Sequence, residues 1–248
     1  MNVVVTGGGT IAAIDDVRHI ANVSTGRLSA AITEAALARG ATVRHIHAPS
    51  ALLPFVRHAR FDLQAPDPAA EHDRLDRLRS RWLAVRDRLA LVPLLCGDVA
   101  DYAATLEATL RDHPPDLVFL AMAVGDFEPV SRFPGKIETP SGSLTLSFRP
   151  TQKVIRKVRD WAPDAYLVGF KLLSGVPEST LIATALQACR ANRADLTVAN
   201  DLDSLRAGRH TIHLVRPDHP VETCSGAEVA EWLVDRCFSW ASERAGRE

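Results

Sequence analysis

The sequence predicts an α/β protein with a Rossmann-like, mainly parallel sheet, helices on both faces and an antiparallel addition at one edge. Apolar β-branched runs alternate with helical patterns along most of the 248 residues, which is typical of βαβ units. Hydrophobic residues make up 46% of the chain and charged residues 24%, with a formal net charge of −1. This is the composition of an ordinary globular protein and argues against a disordered chain or a simple polyanion-binding protein.

Each element follows from this alternation. Strands are expected over 2–6, 42–47, 90–95, 117–123, 165–170 and 195–199, and helices over 25–39, 74–88, 99–112, 151–160, 178–192 and 226–240. Residues 144–148 alternate like a half-exposed strand, and 210–224 read as a hairpin that turns at Pro217 and Asp218. Both suggest antiparallel additions at an edge. No repeat or linker divides the chain, so a single domain over 1–248 is expected.

The segment 50–90 is the least regular and is expected to form a long arm. Its predicted helix has an apolar face and carries many arginines. Aspartates such as Asp73 and Asp76 interleave with these arginines, and the whole chain is close to neutral. We therefore interpret the arginines as a solvated face and expect no nucleic-acid partner.

Location and membrane contact follow from the apolar stretches. The longest of these, Leu117 to Val124, is far shorter than the roughly 20 residues that cross a bilayer. Met1 leads directly into an apolar strand, without the basic segment or cleavage site of a signal peptide. We therefore expect a cytoplasmic protein with no membrane partner.

The first strand ends in a glycine turn, Thr6-Gly7-Gly8-Gly9-Thr10, where missing side chains would let backbone N–H groups approach a phosphate. Gly7, Gly9 and Ala12 match a dinucleotide fingerprint, which leaves a nicotinamide-dependent oxidoreductase as one hypothesis. The match is weak because no helix begins at once and because 44–49 contains no acidic residue to hold a ribose. We expect neither NAD nor flavin.

A second glycine turn, Asn22-Val23-Ser24-Thr25-Gly26-Arg27, precedes a long amphipathic helix. Ser24 is a plausible N-cap, and a capped helix is one interpretation. The other is an anion site, in which free N–H groups and the positive end of the helix bind phosphate.

Three later strand ends also offer polar groups. Asp126 follows the strand 117–123, and Lys136 comes ten residues later. Asp126 could orient an amide, coordinate a metal ion or pair with Lys136, and Lys136 could stabilise charge on a transferring phosphate. Phe170 could stack on a base and Asn200 could read its edge, although a core phenylalanine and a turn asparagine are equally good interpretations.

Taken together, these motifs resemble the phosphopantothenoylcysteine synthetase family, also called phosphopantothenate–cysteine ligase, over nearly the whole chain. The resemblance rests on the glycine turn, the 16–22 segment with Ser24-Thr25-Gly26-Arg27, the 121–127 loop with Gly135-Lys136-Ile137, and the motifs at 168–171 and 198–201. The stand-alone form of the family fits best.

The resemblance implies a two-step ligation in coenzyme A biosynthesis. The carboxylate of 4′-phosphopantothenate attacks the α-phosphate of CTP or ATP and releases pyrophosphate, and the cysteine amine then displaces the nucleoside monophosphate. Mg²⁺ is expected with the triphosphate, and its protein ligands are unknown. A homodimer is also implied, because Arg18 would complete the acid site of a second subunit.

The resemblance also implies residue roles. Catalysis would fall to Asn22, Lys136 and Asp126. Nucleotide binding would fall to Gly8, Gly9, Ser24, Gly26, Phe170 and Asn200. The acid substrate would contact Arg18, Asn22, Ala123 and Asp126.

Some positions depart from the family pattern. Ser29 replaces a glycine and Met122 a smaller residue, and the helix 178–192 lacks paired lysines that Arg190 and Arg193 could replace. These departures leave open a nucleotide-binding paralogue with a different substrate or no ligase activity.

Overall fold

The computed structural model describes residues 1–138 and 143–246, and its strands and helices alternate as expected. The strands are β1 (Asn2–Gly7), β2 (Ile11–Ala13), β3 (His19–Ala21), β4 (Thr42–His47), β5 (Leu89–Pro93), β6 (Leu117–Leu120), β7 (Phe127–Pro129), β8 (Phe148–Pro150), β9 (Tyr166–Leu173), β10 (Leu196–Asp201), β11 (Thr211–Val215) and β12 (Glu222–Ser225). The helices are α1 (Arg27–Ala38), α2 (Pro68–Leu83), α3 (Val99–Asp112), α4 (Val158–Trp161), α5 (Glu178–Ala191), α6 (Leu202–Arg206) and α7 (Val229–Ala245).

The central sheet has the order β12-β11-β10-β9-β6-β1-β4-β5. The six strands from β10 to β5 are parallel, and β11 and β12 add to them as an antiparallel hairpin at the edge. This hairpin turns at Pro217 and Asp218 as predicted, with Asp218 in the left-handed region (φ 61°). The predicted fold class is confirmed.

Alternate side chains of the strands enter two cores, one on each face of the sheet. Val3 and Val5 of β1 pack on the face covered by α1 and α7. Val4 packs on the other face, with buried residues of α3 and α4. Because both faces are covered, the strands read as continuous apolar runs, which is the pattern expected of a parallel sheet.

Several predicted boundaries are wrong. The helix predicted over 74–88 instead begins at Pro68, after the N-cap Asp67, and ends at Leu83, because the chain must turn to reach β5. The helix predicted over 151–160 is a 3-10 helix over Val154–Lys157 followed by the short α4. A helix pattern shows which face is apolar but does not show where tertiary contacts end the helix.

The antiparallel strand predicted at 144–148 is also displaced. The strand β8 begins only at Phe148 and pairs with β7 in a separate two-stranded sheet. It therefore adds nothing to the edge of the central sheet. Its partner β7 directly follows the loop after β6, and that loop lines the candidate site.

Among the described residues, no helix combines the length and the apolar character that crossing a membrane requires.

Candidate active site

The glycine turn after β1 lies at the carboxyl end of the sheet, where ligands of open α/β sheets bind. Gly8 has φ +89°, and a Cβ there would lie 2.8 Å from the side chain of Ala48 and 2.9 Å from that of Ala51. Glycine is required at this position for its conformation and for the close approach of the 48–51 segment. Gly8 and Gly9 are both buried in the turn.

The start of α1 lies directly beside this turn. Gly26 is the N-cap residue (φ +74°), and a Cβ there would be 3.3 Å from the Gly8 nitrogen. Gly26 has no side chain to cap α1, the first turn of α1 holds no acidic residue, and the Arg27 nitrogen donates to the Thr25 hydroxyl at 3.4 Å. The predicted N-cap role of Ser24 is therefore wrong, because the helix begins two residues later. Among the described residues the N–H groups of Leu28 and Ser29 have no acceptor, and these are left for an anion.

Ser29 lies beneath the glycine turn. Its hydroxyl donates a hydrogen bond to the Gly26 carbonyl (2.8 Å), and it would lie 2.0 Å from a Cβ on Gly7. The departure from the family pattern at Ser29 is therefore an inward-facing packing contact that holds the turn against α1.

His45 is fully buried below the same turn. Its Nδ1 shares a 2.7 Å hydrogen bond with Thr33, and its Nε2 has no hydrogen-bond partner among the described residues. Burial, with a smaller contribution from the nearby His47, lowers the pKa of His45 to about 3. The imidazole is therefore neutral at physiological pH.

The hairpin of β2 and β3 follows the glycine turn and was not predicted. Ile11 pairs with Ala21, and Ala13 pairs with His19. The dinucleotide fingerprint requires a helix directly after its glycines, and this hairpin occupies that place. The glycine match therefore lacks the helix that the dinucleotide fingerprint requires.

The hairpin forms one wall of a groove of about 470 Å³. The N-terminus of α3 and the loop after β6 form other parts of its lining. The predicted site residues Asn22 and Asp126 both line it, together with Gly125. A mixed apolar and charged lining of this kind suits a small polar molecule with an aliphatic body.

Backbone contacts tie this groove to the glycine turn. Ala123 donates from its nitrogen to the Gly8 carbonyl (2.9 Å), and Thr10 donates to the Ala123 carbonyl (3.0 Å). The Asn22 amide nitrogen donates to the Val124 carbonyl (3.1 Å). These contacts bring the predicted residues Gly8, Asn22 and Ala123 together.

Asp126 is exposed, and its side chain forms an ion pair with Lys153. The possible pairing of Asp126 with Lys136 is therefore wrong. Lys153 comes from the segment after β8, whose Thr151 nitrogen donates to the Asp126 carbonyl (3.0 Å). The sequence signal for Lys153 was its being one of only four lysines among 29 basic residues.

Lys136 is exposed on a loop that docks on the turn of the β2–β3 hairpin. The Asp16 nitrogen donates to the Gly135 carbonyl (3.0 Å), and the Ile137 nitrogen donates to the Asp15 carboxylate (3.1 Å). The hairpin arises from the glycine turn, so Lys136 lies on the same side of the sheet as Gly8. It does not line the groove that holds Asn22 and Asp126.

Arg18 belongs to the same cluster. Its Nη1 donates to Asp15 (3.1 Å) and to the Ile137 carbonyl (3.3 Å), and its side chain is 38% exposed. Sequence reasoning missed the role of Asp15. The available signal was an aspartate followed two and three residues later by the backbone N–H groups of a turn.

Phe170 and Asn200 lie on the adjacent strands β9 and β10. The register pairs Phe170 with Val198, so both side chains point to the α1 and α7 face, as does Asn200 two residues further. Phe170 is half-buried against the core, and Asn200 is also half-buried. They share a face at the carboxyl end of the sheet, but neither lines the groove.

Two departures from the family pattern, Met122 and the missing lysines of α5, lie away from the groove. Met122 is buried in the core with residues of α3, so its side chain does not alter the groove lining. Arg190 pairs with Asp218, and Arg193 pairs with Asp160. Arg190 lies in the last turn of α5 and Arg193 just after it, near the amino ends of the strands, so neither replaces the missing lysines.

Across 1–138 and 143–246, no group of three or more His, Cys, Asp or Glu side chains is placed to hold a metal ion. A magnesium ion bound here would take most of its ligands from phosphate oxygens and water, which is its usual preference in nucleotide sites.

Comparison with known proteins shows which family the chain belongs to. The model of the DNA/pantothenate metabolism flavoprotein C-terminal domain matches residues 1–67 and 97–240. The phosphopantothenate–cysteine ligase of Mus musculus is 30% identical over 260 residues, covering 94% of this chain and 81% of the relative. The bifunctional coenzyme A biosynthesis protein CoaBC of Thermococcus kodakarensis is 30% identical over 235 residues, and the chain spans 50% of its length.

Solved structures show the same fold. The DNA/pantothenate metabolism flavoprotein of Streptococcus pneumoniae superposes with a TM-score of 0.76 at 27% identity, covering 97% of this chain and 99% of that one. A Cab2 variant in complex with phosphopantothenate-cysteine superposes with a TM-score of 0.84 at 24% identity, covering 99% and 88%.

The fold and the site define a Rossmann-like protein whose polar groups converge at the carboxyl end of a parallel sheet. The chain belongs to the phosphopantothenate–cysteine ligase family, within the wider group of DNA/pantothenate metabolism flavoprotein C-terminal domains.

Proposed function

We propose that the chain joins 4′-phosphopantothenate to cysteine with a nucleoside triphosphate, through an acyl-nucleotide intermediate. One observation supports this function above others. In a chain of this family, the glycine turn, the start of α1, Asn22 and Asp126 meet at one end of the sheet. Such a site can hold a polyphosphate beside an acid.

The chemistry requires this proximity. In the first step a carboxylate oxygen bonds to the α-phosphorus, and the bond from that phosphorus to pyrophosphate breaks. In the second step the cysteine amine bonds to the acyl carbon, nucleoside monophosphate leaves, and the amine releases a proton. A carboxylate is inert toward amines until it carries such a leaving group.

Each residue has a proposed task in these steps. Lys136 balances the charge that develops on the α-phosphate, and Asn22 holds the acyl-nucleotide for the second step. Asp126, oriented by Lys153, and Ala123 contact the acid substrate. The glycine turn, Ser24 and Gly26 hold the triphosphate, while Phe170 and Asn200 flank the nucleoside. Mg²⁺, when bound, neutralises phosphate charge.

The decisive experiment is a pyrophosphate-release assay with CTP, ATP, GTP and UTP, with and without 4′-phosphopantothenate, cysteine and Mg²⁺. We expect release with CTP or ATP that requires the acid. Lys136→Gln should lower turnover by about a hundredfold to a thousandfold, the usual effect of removing one charge-stabilising group. Asn22→Asp should let the activated acid accumulate.

Lys157→Gln is the matched control, because Lys157 is exposed and donates only to Gln152 among the described residues. It should retain wild-type turnover. If no triphosphate supports release, the proposed function is wrong. Triphosphate binding without turnover would instead identify a nucleotide-binding paralogue.

We also propose a homodimer, to which Arg18 contributes at the second subunit's acid site. The hairpin, β7 and the loop before Lys136 all expose apolar side chains: Val17, Ile20, Phe127 and Phe133. Exposed apolar groups concentrated on neighbouring segments favour a protein interface. Sedimentation of the wild type should give twice the chain mass, and Val17→Glu should shift it to one chain. The cytoplasmic location stays a prediction.

A further inference from the structure

The carboxylate of Asp15 is buried at the turn between β2 and β3. Its side chain is fully buried, and all its contacts use ordinary hydrogen-bond distances. Oδ1 accepts from the backbone nitrogens of Val17 (2.9 Å) and Arg18 (2.7 Å). Oδ2 accepts from the Arg18 guanidinium (3.1 Å) and the Ile137 nitrogen (3.1 Å). Four donors therefore surround one carboxylate.

These donors determine the charge of the Asp15 carboxyl group. Burial by itself would raise the pKa of Asp15, but the backbone N–H groups of Val17, Ile137 and Arg18, with the Arg18 charge, outweigh burial and lower the pKa. Asp15 is therefore ionised at neutral pH. A buried carboxylate with this many donors is costly to replace, because each donor would lose its partner.

Asp15 also joins two distant parts of the chain. The loop that carries Lys136 lies along the hairpin turn, with the Phe133 nitrogen donating to the Ile14 carbonyl (2.9 Å). The Gly135 nitrogen donates to the exposed Asp16 (2.9 Å). The Ile137 nitrogen, on the other side of Lys136, makes a third contact with the hairpin turn through Asp15. Lys136 thus lies between two anchored residues, and the later anchor depends on Asp15.

The geometry points to Asp15 as a positioning residue that fixes the backbone beside Lys136 and the Arg18 guanidinium as one unit. Its catalytic consequence rests on the proposed function of Lys136. Asp15 acts through these two residues and does not touch the reacting atoms. Without it, the loop keeps its covalent connection but loses its fixed place, and a misplacement of about 1 Å can cost about a hundredfold in rate.

Asp15→Asn tests this role, with Glu71→Gln as a matched control. In Asp15→Asn, one oxygen becomes an N–H donor that faces other donors. Glu71 is also a buried carboxylate that accepts from a backbone nitrogen outside its own helix and from an arginine, but it lies in the arm. A general effect of removing a buried charge should appear in both variants.

Hydrogen exchange measures the docking directly. We expect the Ile137 and Gly135 amides to exchange at least about tenfold faster in Asp15→Asn, in the manner of a locally opened segment. Glu71→Gln should leave them unchanged and accelerate the Asp62 amide instead. Unchanged exchange of residues 133–138 in Asp15→Asn overturns the proposal, whether or not the chain releases pyrophosphate.

Turnover tests the consequence. Asp15→Asn should lower kcat for pyrophosphate release by about tenfold to a hundredfold, with less than a threefold change in KM for the triphosphate. In a Lys136→Gln background, Asp15→Asn should lower kcat by a clearly smaller factor than in the wild type, because one of the two groups that it positions, Lys136, is already gone and only Arg18 remains. Fully multiplicative losses would show a purely structural role. Absence of turnover in the wild type would reject the proposed function alone, since the exchange result decides the docking separately.

Discussion

Asp15 at the hairpin turn and Glu71 in the arm are built in the same way. Each is a buried carboxylate that accepts from an arginine three residues later, Arg18 and Arg74 respectively. Each also accepts from the backbone nitrogen of another segment, and both carboxyl groups have lowered pKa values, that of Glu71 falling to about 2. They differ in how far apart in sequence the residues that they join are.

Asp15 contacts a residue 122 positions away, whereas Glu71 contacts one only nine positions away. The Asp15 cluster lies within the family match, and α2, which carries Glu71, lies in the stretch outside it. The same arrangement of a buried carboxylate and an arginine therefore has two different consequences. At Asp15 it joins two distant segments beside the candidate site, whereas at Glu71 it holds neighbouring segments of the arm together.

The largest expected effect extends this contrast to two left-handed glycines. In Gly8→Ala the new methyl group meets Ala48 and Ala51 from a separate segment, and we expect triphosphate binding to be lost. Gly40 has φ +85° but no described atom within 4 Å of a Cβ. Gly40→Ala should cost only about 1–2 kcal/mol for its backbone conformation. Calorimetric binding and thermal unfolding of both variants check this, and equal losses of binding would contradict it.

The next effect concerns His45, under the glycine turn. Its pKa is about 3 in the folded state against about 6.5 when unfolded, so the unfolded chain binds the extra proton first. Its contribution to stability is complete above pH 6.5 and declines by up to about 1.4 kcal/mol per unit as pH falls toward 3. Denaturant unfolding from pH 7.5 to 4.5 measures this slope. His45→Gln should flatten it, and an unchanged slope would exclude His45 as its source.

A smaller effect concerns the stability that both carboxylates, Asp15 and Glu71, contribute in acid. Because both pKa values are lowered by folding, each contributes stability that is complete above about pH 4.5 and is lost as pH falls through its folded value. Wild type should therefore lose its advantage over Asp15→Asn and over Glu71→Gln below that range. Unfolding curves at several pH values test this, and an advantage that grows in acid would contradict the assigned signs.

The smallest effect concerns the arginines of the arm. Arg77 is exposed on α2, and Arg77→Ala should change the unfolding free energy by less than about 0.5 kcal/mol. Arg74→Ala should lower the unfolding free energy clearly more than Arg77→Ala does, because Arg74 donates to Glu71 and to the carbonyls of His58 and Arg60. Chemical unfolding of the two variants measures this difference in unfolding free energy. Tight, salt-dependent binding of DNA that Arg77→Ala weakens would contradict our interpretation of a solvated face.

Much of the site was predictable because its residues follow strands. Ala123 and Asp126 come close to the glycine turn since the parallel strands β1 and β6 are neighbours and their carboxyl ends share an edge, whereas Asn22 is placed by the β2–β3 hairpin. The β2–β3 hairpin was missed because its strands have only three residues each, too few for a periodic signal. Asp15 was missed for a related reason, since its partner Ile137 lies in a loop without any regular pattern.

The sequence by itself determined the α/β class, the glycine turn and the positions of the main strands along the chain, because apolar period, glycine conformation and strand ends are local properties of the chain. Only the tertiary structure decided that Asp126 pairs with Lys153, that Gly26 is the N-cap residue of α1, and that Asp15 reaches the loop of Lys136. Such pairings depend on distances between segments far apart in sequence, and electrostatic and hydrogen-bonding partners are chosen by those distances alone.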